Sequence, residues 1–199
     1  MSPASFPRML ISEREGWSDI SRTHPSVRKL FRSLVIPMSL IPPLMYAFAQ
    51  LAYPGRIFAL SRPEPSAASL LVNGVVFFGV ELAMVAFMAM VIRQIADGQG
   101  YRVPHENAYA LAAIAPVPLW LAALALFIPS LGANMVILAL AWIGSVALIR
   151  HGVRPLLGIE DDKKAHYVAN MITLSGVIAW FSLLIVAAGI LSFLLVWWR

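Results

Sequence analysis

Of the chain's 199 residues, 60% are hydrophobic and only 13% charged, and its mean hydropathy is +0.78; a soluble domain carries about a quarter charged residues, so composition excludes one. The absence of cysteine removes disulfide frameworks, thiolate nucleophiles and cysteine metal sites. The excess of 15 Lys and Arg over 10 Asp and Glu is informative through its placement, which in a membrane protein reports orientation.

Residues 1–32 form a polar N-terminal segment carrying Arg8, Arg14, Arg22, Arg28, Lys29 and Arg32. It lacks the apolar run and small-residue cleavage site of a secretory signal. Within it, Val27, Leu30, Phe31 and Leu34 recur at helical spacing with cations between them, after a Pro25 suited to a first turn. This pattern predicts a short amphipathic helix at the membrane interface, cations toward anionic headgroups, with Trp17 and Ile20 upstream assisting. The alternative is a flank that runs straight into the first span.

Residues 33–199 read as a five-helix transmembrane domain. Span one, 33–53, contains Pro42 and Pro43, whose missing amides and steric clash predict a kink near mid-bilayer. Span two, 69–92, is interrupted by Glu81. From Asn107 to Ile149 there is no charged residue; as one helix at ~1.5 Å per residue that stretch would measure roughly 64 Å, about twice a hydrocarbon core of ~30 Å. It must cross, turn and cross back. The turn falls at Pro129-Ser130-Leu131-Gly132-Ala133-Asn134, giving span three, 107–128, with Pro116 and Pro118 at its centre, and span four, 131–149. A charged loop to Lys164 leads into span five, 167–196, which closes on the interfacial anchor Trp197-Trp198-Arg199. The fold class is all-α: a polytopic bundle of five transmembrane helices preceded by a short amphipathic interfacial helix.

With the N-terminus inside, twelve of the fifteen Lys and Arg fall on the cytoplasmic side, and only Arg56, Arg62 and Arg199 on the other. The positive-inside rule thus predicts N-in and C-out.

Glu81 is the most informative single residue. A charged carboxyl facing lipid costs several kcal/mol or more, so it should face the bundle and either pair or keep its proton; no Lys or Arg lies mid-span to pair with it. Pro116 and Pro118 release the carbonyls of Ala112 and Ile114 at similar depth, offering acceptors to a protonated Glu81. Asn73, Asn170, Thr173 and Ser175 are further inward-facing candidates. One reading makes this a polar path of a small transporter or channel, with Glu81, Asn73 and Asn170 as the intramembrane site and Pro42, Pro43, Pro116 and Pro118 as kinks; the other makes it interhelical glue. His105-Glu106 and the Asp162/His166 pair are weak signals for an enzyme or metal, since two ligands on one turn make no site and no catalytic motif accompanies them. No catalytic residue, cofactor or metal is predicted, and the N-terminal cations suit a membrane surface better than nucleic acid.

The order of Trp17-x-x-Ile20, the basic amphipathic stretch, Ile36-Pro37-Met38-Ser39-Leu40-Ile41-Pro42-Pro43, Ala115-Pro116-Val117-Pro118-Leu119-Trp120, Ile128-Pro129, Gly152-Val153-Arg154-Pro155-Leu156-Leu157-Gly158 and Lys164-Ala165-His166-Tyr167 resembles the bacterial branch of the Yip1 domain family, over roughly Trp17 to Gly189. The resemblance implies a five-helix domain with a cytoplasmic N-terminus, in a bacterial inner membrane. Eukaryotic members associate with small GTPases and with one another in vesicle traffic, and carry a longer N-terminal domain with an Asp-Leu-Tyr-Gly-Pro motif. This chain has no such motif, which counts against small-GTPase binding. The leading expectation is a non-enzymatic, multi-pass inner-membrane protein that associates with other membrane proteins or itself. Its cytoplasmic face would comprise Arg28, Lys29, Arg32, Arg150, Arg154, Lys163 and Lys164.

Overall fold

Several helix starts are marked by side-chain caps. Ser66 Oγ accepts the Ser69 amide at 3.1 Å, Ser130 Oγ that of Ala133 at 3.4 Å, and Asp161 Oδ1 that of Lys164 at 2.9 Å. Each satisfies a donor that a helix leaves free in its first turn. In the computed structural model, which describes Trp17, Ile20, Thr23, residues 25–57 and residues 65–197 with side chains to Phe193, such signals bound five helices. They are α1 (Val27–Ala52), α2 (Ala67–Gly98), α3 (His105–Phe127), α4 (Leu131–Leu157) and α5 (Asp162–Trp197). All five are long and apolar enough to cross a bilayer, and every regular element among the described residues is helical. Arg8, Arg14, Arg22, Arg62 and the Trp198-Arg199 end of the anchor lie outside the described residues.

Ahead of the spans, Trp17, Ile20 and Thr23 are each helical. The amphipathic stretch from Val27 joins α1 without a break: Val27–Leu30 is α-helical, Phe31–Val35 widens into a π turn, and Ile36–Ser39 resumes the α form. The π turn ends two residues before Pro37, whose ring would clash with the carbonyl one turn back in a regular helix. Hydroxyls support this region, Ser33 Oγ bonding Lys29 O and Ser39 Oγ bonding Val35 O, both at 2.7 Å. The helices also outrun the apolar segments. Helix α2 continues past Arg93 to Gly98, and α4 past Arg150 until Gly158 adopts φ +67°.

Prolines set the breaks within spans. The turn in α1 is at Leu40, two residues before Pro42, so that both prolines sit at the start of the Ile41–Ala52 helix, where an amide donor is not needed. Helix α3 breaks at Ala115-Pro116, restarts at Val117 with Pro118 in its first turn, and tightens to a 3₁₀ helix over Ala123–Phe127.

Helix α2 packs against α1, α3 and α5, while α4 lies across α3 and α5. One end of this bundle is dense. There the first half of α3, from Ala108 to Ile114, is buried without interruption against Leu30 and Val35 of α1, Ala89 and Ile92 of α2, Leu148 and Val153 of α4, and Val168 and Ile172 of α5. Small residues bring the backbones close. Gly152 is the tightest point: a methyl there would lie 2.7 Å from both Leu111 Cδ1 and the fully buried Trp17 ring. Asn107 Nδ2 ties this end further, donating to Leu156 O at 2.9 Å. On the outer faces large apolar side chains such as Leu44, Leu71, Ile143, Ile185 and Phe193 are exposed, a surface that lipid rather than water covers.

Gly152→Ala overpacks a buried contact and should lower stability by about 1–3 kcal/mol. Gly132→Ala meets open space and should leave stability unchanged or raise it. Thermal unfolding of both variants in mild detergent checks this, and equal melting temperatures would contradict the close Trp17–Gly152 packing.

Candidate functional site

Away from the dense end the helices separate. Glu81, midway along α2, shares its depth with the point where α3 has just been restarted by Pro116 and Pro118, and that restart carries Trp120 toward α2. The Trp120 indole Nε1 donates to Glu81 Oε1 at 2.9 Å, a buried bond. This differs from the expectation that Glu81 would donate to the carbonyls freed by the prolines. An indole N–H is a donor with no acceptor function, and it meets an oxygen that must be satisfied whatever the state of the other.

Around this pair lies a partly open cavity of about 760 Å³. Its wall is drawn from all five helices, and its floor, at Ile92, Ile149 and Ile172, is the upper surface of the dense core. From there it extends to the opposite end of the bundle, where Leu131, Asn134 and Ser192 line it. The proline breaks belong to the wall: Pro42, Pro43 and Pro116 all face the space. Trp142 of α4 and Trp180 of α5 also line it, meeting edge to face with centroids 5.3 Å apart.

Three polar side chains are buried in this largely apolar wall: Asn73 at 6% exposure, Glu81 at 5% and Ser145 at 4%. Each has an oxygen with no hydrogen-bond partner, namely Asn73 Oδ1, Glu81 Oε2 and Ser145 Oγ. Buried polar atoms are almost always paired in folded proteins, so three orphans around one space make it the foremost candidate site. Of the intramembrane residues singled out in the sequence, the structure brings Glu81 and Asn73 to the cavity and leaves Asn170 out. Asn170 is exposed, on the face of α5 that also carries Tyr167, Leu174 and Ile178, a side turned from Val168, Ala169 and Ile172. Thr173 does line the cavity, with its hydroxyl bonded to Ala169 O at 2.8 Å. Ser145 and Trp120 were missed by the sequence reading. A single serine in an apolar span carries no signal, whereas a tryptophan two residues beyond a Pro-x-Pro at the depth of a carboxyl does.

At the dense end, Arg28, Lys29, Arg32, Arg150, Lys163 and Lys164 are exposed. Arg154 is partly buried and forms an ion pair with Asp162, and Lys164 Nζ stands 5.3 Å over the Tyr101 ring. The Asp162/His166 pair meets through the main chain, His166 Nδ1 lying 2.7 Å from Asp162 O. Among the described residues no group of three His, Cys, Asp or Glu side chains is placed to hold a metal ion.

Five apolar helices around an intramembrane cavity define a multi-pass α-helical membrane protein. The model of one family, the Yip1 domain, matches residues 8–183, and the chain belongs to that family. No curated protein and no solved structure matches the chain.

Removing the indole donor in Trp120→Phe should cost about 1–3 kcal/mol, the penalty for leaving a buried oxygen unpaired. The same change in a Glu81→Leu background should cost much less, giving a coupling of about 0.5–3 kcal/mol in a double-mutant cycle. Chemical denaturation in mild detergent measures it; additive costs would show that the 2.9 Å contact contributes nothing.

Proposed function

We propose that this protein works without catalysis in a bacterial inner membrane, associating with other membrane proteins or with a second copy of itself through its basic end. The observation that carries the reading is the dense packing of that end. Cations at the start of α1, the end of α4 and the start of α5 project from helices that share one dense core. A charge array held on packed helices steers a partner and sets its orientation, with little ordering entropy lost on docking. In this reading the basic end and the N-terminus face the cytoplasm, as the positive-inside rule requires. The Arg154–Asp162 pair then serves to hold the α4–α5 loop in place.

The cavity favours a second reading, in which Glu81 and the proline-broken helices pass a proton or small ligand across the bilayer.

Cross-linking in native membranes, mild-detergent capture and quantitative mass spectrometry separate the two. Changing Arg28, Lys29 and Arg32 to Glu should lose a partner that the unaltered protein recovers in near-equal amount, and Glu81→Gln should keep it. A partner indifferent to the cations, together with liposome flux that Glu81→Gln abolishes, would overturn the association reading in favour of transport.

A further inference from the structure

The cavity's volume of about 760 Å³ lies within the range of roughly 300–1,000 Å³ typical of small-molecule sites, and its chemistry is one-sided. Among the described residues that line it, Glu81 is the only carboxyl and there is no Lys, Arg or His. The indole donor is already used on Glu81 Oε1. Among the fully buried side-chain atoms of the wall, three oxygens are unpaired, each able to accept: Asn73 Oδ1, Glu81 Oε2 and Ser145 Oγ. An occupant that brings several N–H donors satisfies all three at once. Phe77, one turn from Glu81 on α2, and Trp142 and Trp180 of α4 and α5 also line the space, and aromatic faces attract cations most strongly when water is excluded.

We infer that the cavity is a binding site for a lipophilic amine: an ammonium group with N–H donors on an apolar, partly aromatic body. The ammonium sits at mid-depth against Glu81 Oε2 and Ser145 Oγ, where the Glu81 carboxylate is its counter-charge. The body fills the apolar space between α4 and α5. Asn73, eight residues earlier on α2 and so about 12 Å along the helix axis, accepts from a second polar group at the ligand's far end. A neutral or anionic amphiphile of the same shape leaves at least the Glu81 oxygen poorly matched. The inference rests on the site of the transport reading but not on transport itself, and it stands whatever binds the basic end.

Dansylcadaverine, a primary amine on an aromatic body, is a suitable probe, with its N-acetyl derivative as the uncharged twin. Binding is read as saturable dansyl fluorescence on the full chain in nanodiscs of zwitterionic lipid. The amine should bind saturably, and both acetylation and Glu81→Gln should weaken binding by about tenfold or more, as expected for a lost hydrogen bond to a charged group. Ser145→Ala, a smaller change that guards against misfolding of the Glu81 variant, should weaken the amine several-fold and leave the acetylated probe unaffected. No saturable binding, equal affinity for the two probes, or full affinity in Glu81→Gln would overturn the proposal. Amine binding without any liposome flux would uphold it and remove the transport reading; proton flux through Glu81 without amine binding would do the reverse.

Discussion

A carboxyl group in the apolar middle of a helix bundle constrains everything around it, because lipid offers no replacement for the water it has lost. Here that constraint is met on one side by the Trp120–Glu81 hydrogen bond at 2.9 Å. The bond needs α3 to deliver an indole to α2 at mid-depth. The break at Ala115-Pro116 and the restart at Val117 accomplish this. One local requirement thus links the α3 prolines, the Trp120 indole and the cavity beside Glu81.

The bundle consequently has two halves with different physics. At the basic end, alanines at 108, 110, 112 and 113 of α3 and Gly152 of α4 let backbones approach closely, and Trp17 is enclosed completely. In lipid such packing, rather than a hydrophobic driving force, holds helices together. Toward the other end, Trp142 and Trp180 meet edge to face between α4 and α5, Pro42 and Pro43 line the wall, and the helices enclose space instead of side chains. The dense half is suited to presenting surface charge in a fixed pattern, and the open half to holding a molecule. These are compatible roles for one protein.

The membrane class, the number of spans and the prominence of Glu81 were all legible from charge and hydropathy, because a carboxyl and a long uncharged run stand out against apolar sequence. Proline positions were legible as breaks, though the α1 turn falls at Leu40 rather than at Pro42-Pro43, since prolines are accommodated best just after a restart. What pattern could not reveal was tertiary pairing. Trp17 and Gly152 both belong to the runs that carry the family resemblance, yet nothing in either run says that one ring covers the other backbone. Asn170 was misassigned because a polar residue in a span does not disclose its face; helical spacing from Val168 and Ile172 places it outward. Helix ends outran the predicted spans because hydropathy marks where lipid contact stops, and hydrogen bonding continues until a glycine such as Gly158 ends it.

A cavity around Glu81 is walled off from a dense basic end, and the absence of native cysteine allows a direct test. Single cysteines at Ala123 and Thr173, which line the cavity, and at Ala113 and Val168, which are fully buried in the core, can be challenged in membranes with a small water-soluble thiol reagent. Rapid labelling at 123 and 173 with protection at 113 and 168 is the predicted result. Protection at all four positions, or labelling at 113 and 168 as fast as at 123 and 173, would contradict the account.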